Sequence, residues 1–302
     1  MLNIIIAFAS LIVLIKSSEI FIDQSTALAK KFKISSFLVG FTLIALGTAL
    51  PDLIISSYSN IVGASEVAIS TFIGSPIVKT SLILGILALF SNYKLLEVDI
   101  KRNIPVNLII YCSFFLLLVI FQFQMNWILG ILAIGLLILS IFLARKNNHM
   151  ITIESKKKFN AILLILSLVI VVISGKLCVD YLLIFAEDFA IAQTTVGYFI
   201  IAIAISLQEL VISLTSIKKG NFQLSLGNIL GSNLFELLFV SGATSFFGVL
   251  NFRPFLTDFL FLIFATLILL LFAILGKKYY ISKKEGVGLI LVYVLFVIIQ
   301  IL

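Results

Sequence analysis

An all-α polytopic membrane protein, with ten transmembrane helices arranged as two inverted five-helix repeats, is the fold class that this sequence predicts. Three observations lead there. The 302 residues are 62% hydrophobic and only 12% charged, with a mean hydropathy of +1.25, whereas a soluble domain is about half apolar and a quarter charged. Residues 40–85 recur as residues 197–242 at a constant offset, with 13 identities in the 47 positions from Val39 to Gly85 and no gap. The basic residues fall in every second connection between apolar runs.

Apolar runs long enough to cross about 30 Å of hydrocarbon, roughly 17–25 residues each, fall at about 2–22, 36–59, 67–90, 103–123, 126–144, 160–183, 193–217, 223–249, 254–276 and 286–302. The first is expected to be a retained helix and not a signal peptide. No positive charge follows Met1, no small-residue cleavage site is evident, and the run continues into Lys16 and Glu19. The first five-helix half is then residues 1–144, with its repeat at about 36–90. A charged linker occupies 145–159, and the second half is 160–302, with its repeat at about 193–249.

Orientation follows from charge. With the connections numbered in order, the odd ones hold Lys30, Lys31 and Lys33; Lys94, Lys101 and Arg102; Arg145, Lys146, Lys156, Lys157 and Lys158; Lys218 and Lys219; and Lys277, Lys278, Lys283 and Lys284. Only Lys16, Lys79, Lys176 and Arg253 of the 21 basic residues lie elsewhere, and the even connections carry Glu66, Glu187 and Asp188. The positive-inside rule makes the odd connections cytoplasmic and places both termini outside a cell membrane. The same distribution explains the net charge of +7 without a nucleic-acid partner.

The repeat offset carries the pattern across five helices, an odd number, so the halves have opposite orientations. This is the plan of secondary transporters, whose sites lie near the midplane between inverted repeats. Polar residues mark that site. Asp52 maps onto Glu209, Ser75 onto Ser232 and Lys79 onto Glu236. At 1.5 Å per helical residue, Lys79 and Glu236 are roughly 20 Å from the nearest helix end, and Asp52 and Glu209 are about 12–15 Å deep. Four unpaired charges at such depths cost on the order of 10–14 kcal/mol, so they face one another or a wet cavity. Buried ion pairs that serve packing alone are the alternative, but packing does not require ionisable groups at repeat-equivalent positions. The oxygen inventory suits a hard cation: calcium takes six to eight oxygens, with carboxylates prominent. Asp52, Glu209 and Glu236 supply carboxylates, and Thr48, Ser75, Ser206 and Ser232 lie within a turn of the ionisable positions. Each hydroxyl alone is expected to bond back to its own helix; adjacency to the carboxylates makes it a candidate ligand. Gly40, Gly47, Pro51, Gly74, Pro76, Gly227 and Gly231 allow these helices to bend and free backbone carbonyls.

The segments Gly40-Phe41-Thr42-Leu43-Ile44-Ala45-Leu46-Gly47-Thr48-Ala49-Leu50-Pro51-Asp52 and Gly227-Asn228-Ile229-Leu230-Gly231-Ser232-Asn233-Leu234-Phe235-Glu236 resemble the two parts of the α-repeat of sodium/calcium exchangers, in the calcium/cation antiporter superfamily. Typical members carry G-T-S-x-P-E and then G-N-x-x-G-S-N-x-x-D/N in each repeat. The resemblance implies a central diamond of ion sites on the second, third, seventh and eighth helices. It also implies alternating access by sliding of the first and sixth, which here carry Lys16, Glu19, Lys176 and Asp180.

The sequence departs from that pattern. Asp52 stands for Glu, and Ala49 lacks a hydroxyl. Ala204, Ile205 and Gln208 replace glycine, threonine and proline in the second repeat, and Ser70-Thr71 replaces Gly-Asn in the first. Lys79 stands where an Asn or Asp ligand belongs. A lysine ammonium is a fixed monovalent cation with three donors, so Lys79 either takes the place of one transported sodium as an internal counter-cation or closes the site. The expected function is a secondary antiporter that exchanges calcium for sodium or protons. The metal set is Thr48, Asp52, Ser75, Ser206, Glu209, Ser232 and Glu236, with Lys79 as counter-cation. A monovalent cation/proton exchanger and a transport-degenerate paralogue blocked by Lys79 are the alternatives, together with a non-transporting structural membrane protein. No resident cofactor, no enzyme activity and no disulfide or zinc frame are expected, since Cys112 and Cys178 lie in apolar runs and the lone histidine, His149, lies in the linker. The partners are lipid and inorganic cations, and the sequence assigns no oligomeric partner.

Overall fold

A computed structural model of the chain describes residues 2–61, 63, 65–145, 158–188, 206–276 and 279–301. Helix α1 is Leu2–Phe32. Helix α2 runs over 36–61 as an α-helical turn Ser36–Val39, a π-helical turn Gly40–Ile44 and a longer stretch Ala45–Ile61. Helix α3 runs over 65–91 as Ser65–Ile77, the π turn Val78–Ile83 and Leu84–Ser91. Helix α4 opens on a π turn, Asp99–Asn103, and continues as Ile104–Ile120. Helices α5, Trp127–Arg145, and α6, Ala161–Asp188, follow. Helix α7 is described over Leu207–Lys218. Helix α8 runs over 222–244 as Phe222–Leu234, the π turn Phe235–Val240 and Ser241–Thr244. Helix α9 is Leu256–Leu275 after a short 3-10 turn, and α10 is Lys283–Ile301.

Among the described residues six stretches are long and apolar enough to cross a membrane: Ile5–Phe32, Ala68–Ser91, Asp99–Ile120, Trp127–Arg145, Phe222–Thr244 and Arg253–Leu275. Their outer faces remain apolar; Phe90, Ile120 and Leu275 are more than 70% exposed. Such a surface suits hydrocarbon and not water. The chain is a multi-pass helical membrane protein.

Helix α1 runs ten residues past its expected end, because polar side chains on its last turns find partners. Asn221 Nδ2 donates to Thr26 Oγ1 at 3.3 Å, and Gln24 Oε1 accepts from the Asn160 backbone at 2.8 Å. Lys30 and Lys31 therefore close the helix, where ammonium groups favour the free carbonyls, and Lys33 at φ 53° ends it. Most of the linker, with His149, and residues 189–205, with Gly197, Ala204 and Ile205, lie outside the described residues.

The repeat is visible in local structure. The π turn at Val78–Ile83 follows Pro76, which lacks an N–H and disturbs the ladder. Yet the same turn recurs 157 positions on, at Phe235–Val240, after Asn233. Its cause is therefore the place in the fold and not the proline alone. Gly63 and Gly220, equally spaced, both take positive φ, +85° and +75°, in the turns that lead into α3 and α8. The short ribbons exchange partners. β1 (Tyr93–Lys94, after α3) pairs antiparallel with β4 (Tyr280–Ile281, before α10), in register Tyr93 with Ile281. β2 (Gln124–Met125, before α5) pairs with β3 (Leu250–Asn251, before α9), Met125 opposite Leu250. The α3–α4 and α9–α10 turns thus share one end of the bundle, and the α4–α5 and α8–α9 turns the other.

Glycines set the tightest helix crossings. A Cβ on Gly85 would lie 2.8 Å from the Gly286 oxygen, and one on Gly242 2.9 Å from the Gly130 oxygen. These crossings join α3 to α10 and α8 to α5. The closest contact joins α2 to α8, where a Cβ on Gly227 would be 2.1 Å from the Phe37 oxygen and one on Gly231 2.4 Å from the Phe41 oxygen. Both neighbours are backbone and do not yield. Gly227→Val is expected to cost about 3 kcal/mol or more, read as a lowered midpoint of thermal unfolding in detergent against Gly135→Val, whose added Cβ meets no described atom within 4 Å.

Two apolar clusters fill the interior. The larger joins α2, α3, α4, α5, α8, α9 and α10 around residues such as Phe41, Phe72, Phe114 and Leu238. The smaller, around Leu14, Phe21, Leu164 and Val171, joins α1 and α6 to α2, α7 and the start of α8. Helices α1 and α6 form a layer of their own on the flank of the core.

Candidate functional site

Four helices bring their ionisable side chains to one place inside the core. Repetition at helical spacing explains the arrangement: Thr48 and Asp52 on α2, Ser75 and Lys79 on α3, and Ser232 and Glu236 on α8 each stand four residues apart, on one helix face. Ser206 precedes α7, and Glu209 lies in its first turn. Lys79 and Glu236 each sit in a π turn, a distortion of the helical ladder that is frequent at functional sites.

The Lys79 ammonium is the centre of the cluster. It forms a close ion pair with Glu236 Oε1 and a second, at 3.2 Å, with Glu209 Oε1. Lys79 is 0% exposed, Glu236 1% and Glu209 4%. The Asp52 carboxyl interacts with Glu236 and lies in the field of Lys79 and Glu209. The partners Lys79 and Glu236 are themselves 157 positions apart, so the ion pair joins one repeat position to its own equivalent. Glu209 Oε2 and the Ser206 hydroxyl are buried without a hydrogen-bond partner among the described residues, and Ser75 lies against Glu236. Unpartnered oxygens in a dry interior cost free energy, and a cation relieves it. Thr48 Oγ1 donates to the Ala45 oxygen and Ser232 Oγ to the Ile229 oxygen, both at 3.2 Å. These two hydroxyls bond back to their own helices but keep lone pairs free.

Because the ammonium holds the middle, the carboxylates are not gathered about a common metal point. Among the described residues no three acidic, histidine or cysteine side chains are grouped closely enough to hold an ion. Of the charges on α1, Lys16 and Glu19 pair with each other at 3.4 Å on an exposed face, away from the cluster. Lys219 instead ties the end of α7 to α1, through the Asp23 carboxylate and the Glu19 backbone oxygen.

Sequence reasoning missed the shell behind the ion pair. Asn233 Nδ2 donates to Thr80 Oγ1 at 2.8 Å, and the Tyr111 hydroxyl faces Asn233 and the Glu236 charge. The signal was present: Asn103, Asn107 and Tyr111 recur every four residues in an otherwise apolar run.

The family model described as sodium/calcium exchanger protein matches residues 2–146 and 159–302. The chain is 26% identical to the sodium/calcium exchanger MaX1 of Methanosarcina acetivorans, with 98% of each chain covered. It is 30% identical to the uncharacterized membrane protein MJ0091 of Methanocaldococcus jannaschii, covering 75% of this chain and 76% of that one. It superposes on the solved sodium-calcium exchanger NCX_Mj, soaked with Na+ and Ca2+, with a TM-score of 0.83 at 28% identity, covering 98% of this chain and 97% of that one. This is a family of membrane cation antiporters and not of enzymes, and the chain described here belongs to it: it is a sodium/calcium exchanger family protein.

Proposed function

We propose that the protein is a secondary active antiporter that exchanges calcium for sodium or protons, by alternating access at the carboxylate cluster near the membrane midplane. The observation that carries this reading is the convergence of Asp52, Lys79, Glu209 and Glu236 from α2, α3, α7 and α8, in a chain of this family. Glu209 and Glu236 are the main divalent ligands, and Asp52 is the third carboxylate. Thr48, Ser75, Ser206 and Ser232 add oxygens, and Lys79 is the internal counter-cation. With all three carboxyls ionised, the charge balance favours one stoichiometry. Three carboxylates and one ammonium sum to −3 + 1 = −2, and a buried net charge is costly unless neutralised. One calcium ion balances it, as do two sodium ions or two protons. The exchange is therefore electroneutral.

In this reading the chain has ten spans in two inverted halves, 1–144 and 160–302, in a cell membrane with both termini outside. The recurring π turn, the paired glycine crossings and the exchanged ribbons support the inversion. Helices α1 and α6 are the moving layer. Their buried hydroxyls support this, because Ser17, Ser167 and Ser174 donate to their own helix, and the described side-chain hydrogen bonds from α1 to α7 and α8 gather near its end, where Asn221 meets Thr26 and Lys219 meets Asp23 and the Glu19 oxygen. The Lys219–Asp23 tie is the contact that must break.

A second reading is that Lys79 has closed the calcium site, and its simultaneous pairing with Glu209 and Glu236 favours that. Calcium uptake into proteoliposomes separates the two. Uptake driven by an outward sodium gradient or an outward proton gradient is expected, and identifies the coupling ion. Uptake under neither, from folded protein, overturns calcium exchange. Calcium-insensitive sodium/proton exchange in the same vesicles would then assign a monovalent cation/proton exchanger.

A further inference from the structure

A second buried polar feature runs away from the ion pair. Asp99, Asn103, Asn107 and Tyr111 stand at successive four-residue steps on α4, and all four are at most 4% exposed. The column begins at the membrane-end turn after β1. There Asp99 accepts from the Leu96 backbone, Gln223 Nε2 and Asn103 Nδ2, each at 2.7 Å. Asn107 Nδ2 reaches the Asn103 oxygen at 3.3 Å, and the Tyr111 hydroxyl is 3.5 Å from Asn107 Oδ1. The column ends at Asn233 and Thr80, behind Lys79 and Glu236. From Asp99 to Tyr111 it rises about 18 Å along the helix, from one end of the bundle to mid-membrane.

The contacts lengthen towards the centre. Asn233 Oδ1 is buried and has no hydrogen-bond partner among the described residues, and the Tyr111 hydroxyl lies against the Asn233 amide. A buried oxygen without a protein partner is where an ordered water sits. Beside the middle of the column a cavity of about 10 Å³ is lined on one side by Arg102, Asn103, Asn107 and Ser140 and otherwise by apolar side chains, Phe37 and Phe41 among them; that is close to the space one water needs. Helix α9, the counterpart of α4 in the second half, has no such column. It buries Phe259, Leu262, Ala265, Leu269 and Ala273, and its one buried polar side chain, Thr266, donates to its own Leu262 oxygen. Packing a helix at this place in the fold therefore does not demand buried amides. The polar column is absent from the α4 counterpart α9, and its outer end lies at the turn after β1.

We propose that the α4 column is a file of water sites that hydrates the Lys79–Glu236 pair from the end of the bundle that holds the β1–β4 ribbon. The inference deepens the proposed function by adding a one-sided water route to the same site, and its test does not depend on transport. Fast hydroxyl-radical labelling in ¹⁸O-water marks aromatic side chains that touch bound water. Tyr111 is expected to take up label about tenfold faster than Phe114, which is equally buried on the same helix but has no polar partner and no route to buried water. Asn107→Leu is expected to bring Tyr111 down to the Phe114 rate. Equal labelling of Tyr111 and Phe114 in the unsubstituted protein overturns the proposal, whatever the folding of the variant. So does full Tyr111 labelling in a folded Asn107→Leu protein. Loss of calcium exchange with Tyr111 still labelled would count against the antiport reading and leave the column standing.

Discussion

Glu209→Gln abolishes exchange: calcium uptake into proteoliposomes falls to the level of empty vesicles, by about 100-fold or more. The size follows from the site. Glu209 is 4% exposed, one of its oxygens pairs with Lys79 and the other has no partner. Truncating one partner of a buried charge pair in a binding site costs about 2–5 kcal/mol of affinity, and each 1.4 kcal/mol is tenfold. The substitution also moves the net charge of the cluster from −2 to −1, so that a divalent ion leaves an excess positive charge in a dry site. Folding survives, because Glu236 still pairs with Lys79 and Gln occupies nearly the same volume. A monodisperse protein that unfolds within a few degrees of the parent establishes that the loss is functional. Full activity in this variant removes Glu209, and with it the proposed cluster, from the transport site.

The parts of this fold that periodicity and repetition encode are legible in the chain. The apolar runs, the helices that occupy them and the pairing of Asp52, Lys79, Glu209 and Glu236 follow from hydropathy, from one offset and from the cost of burying charge. Other features depend on partners far away in sequence. The extension of α1 to Phe32 is held by Asn221 and Asn160, more than a hundred residues off. The Gly130–Gly242 and Gly85–Gly286 crossings show only when the helices are in place. The π turns are invisible in composition, since one follows proline and its equivalent does not. The α4 column stood in view as a four-residue polar period. A polar period inside a membrane span needs burial to acquire meaning, because the same spacing on an exposed face is only a wet stripe. The place of Lys79 was legible as a departure from a family pattern. Its simultaneous grip on two carboxylates emerges only when α3, α7 and α8 are packed together.

Lys79→Asn carries the other large effect, and it separates the two readings of that lysine. Without the ammonium the cluster holds −3, one calcium ion leaves −1, and three monovalent ions are needed for neutrality. Exchange of three for one moves a net charge through the membrane. One charge across 100 mV corresponds to about 2.3 kcal/mol, which is about a 50-fold change in the calcium gradient sustained at steady state. In the parent protein, clamping the vesicle potential with valinomycin is expected to leave that gradient unchanged; in Lys79→Asn it is expected to shift it by that amount. The substitution also removes the partner of two buried carboxylates, so the variant is expected to need calcium or sodium for stability, with an unfolding midpoint that rises with either ion. A parent protein whose calcium gradient already follows voltage contradicts the charge balance drawn from Lys79. A silent parent beside an active, voltage-sensitive Lys79→Asn shows instead that the lysine is a plug, held in the position of a transported cation by the two glutamates that would otherwise bind one.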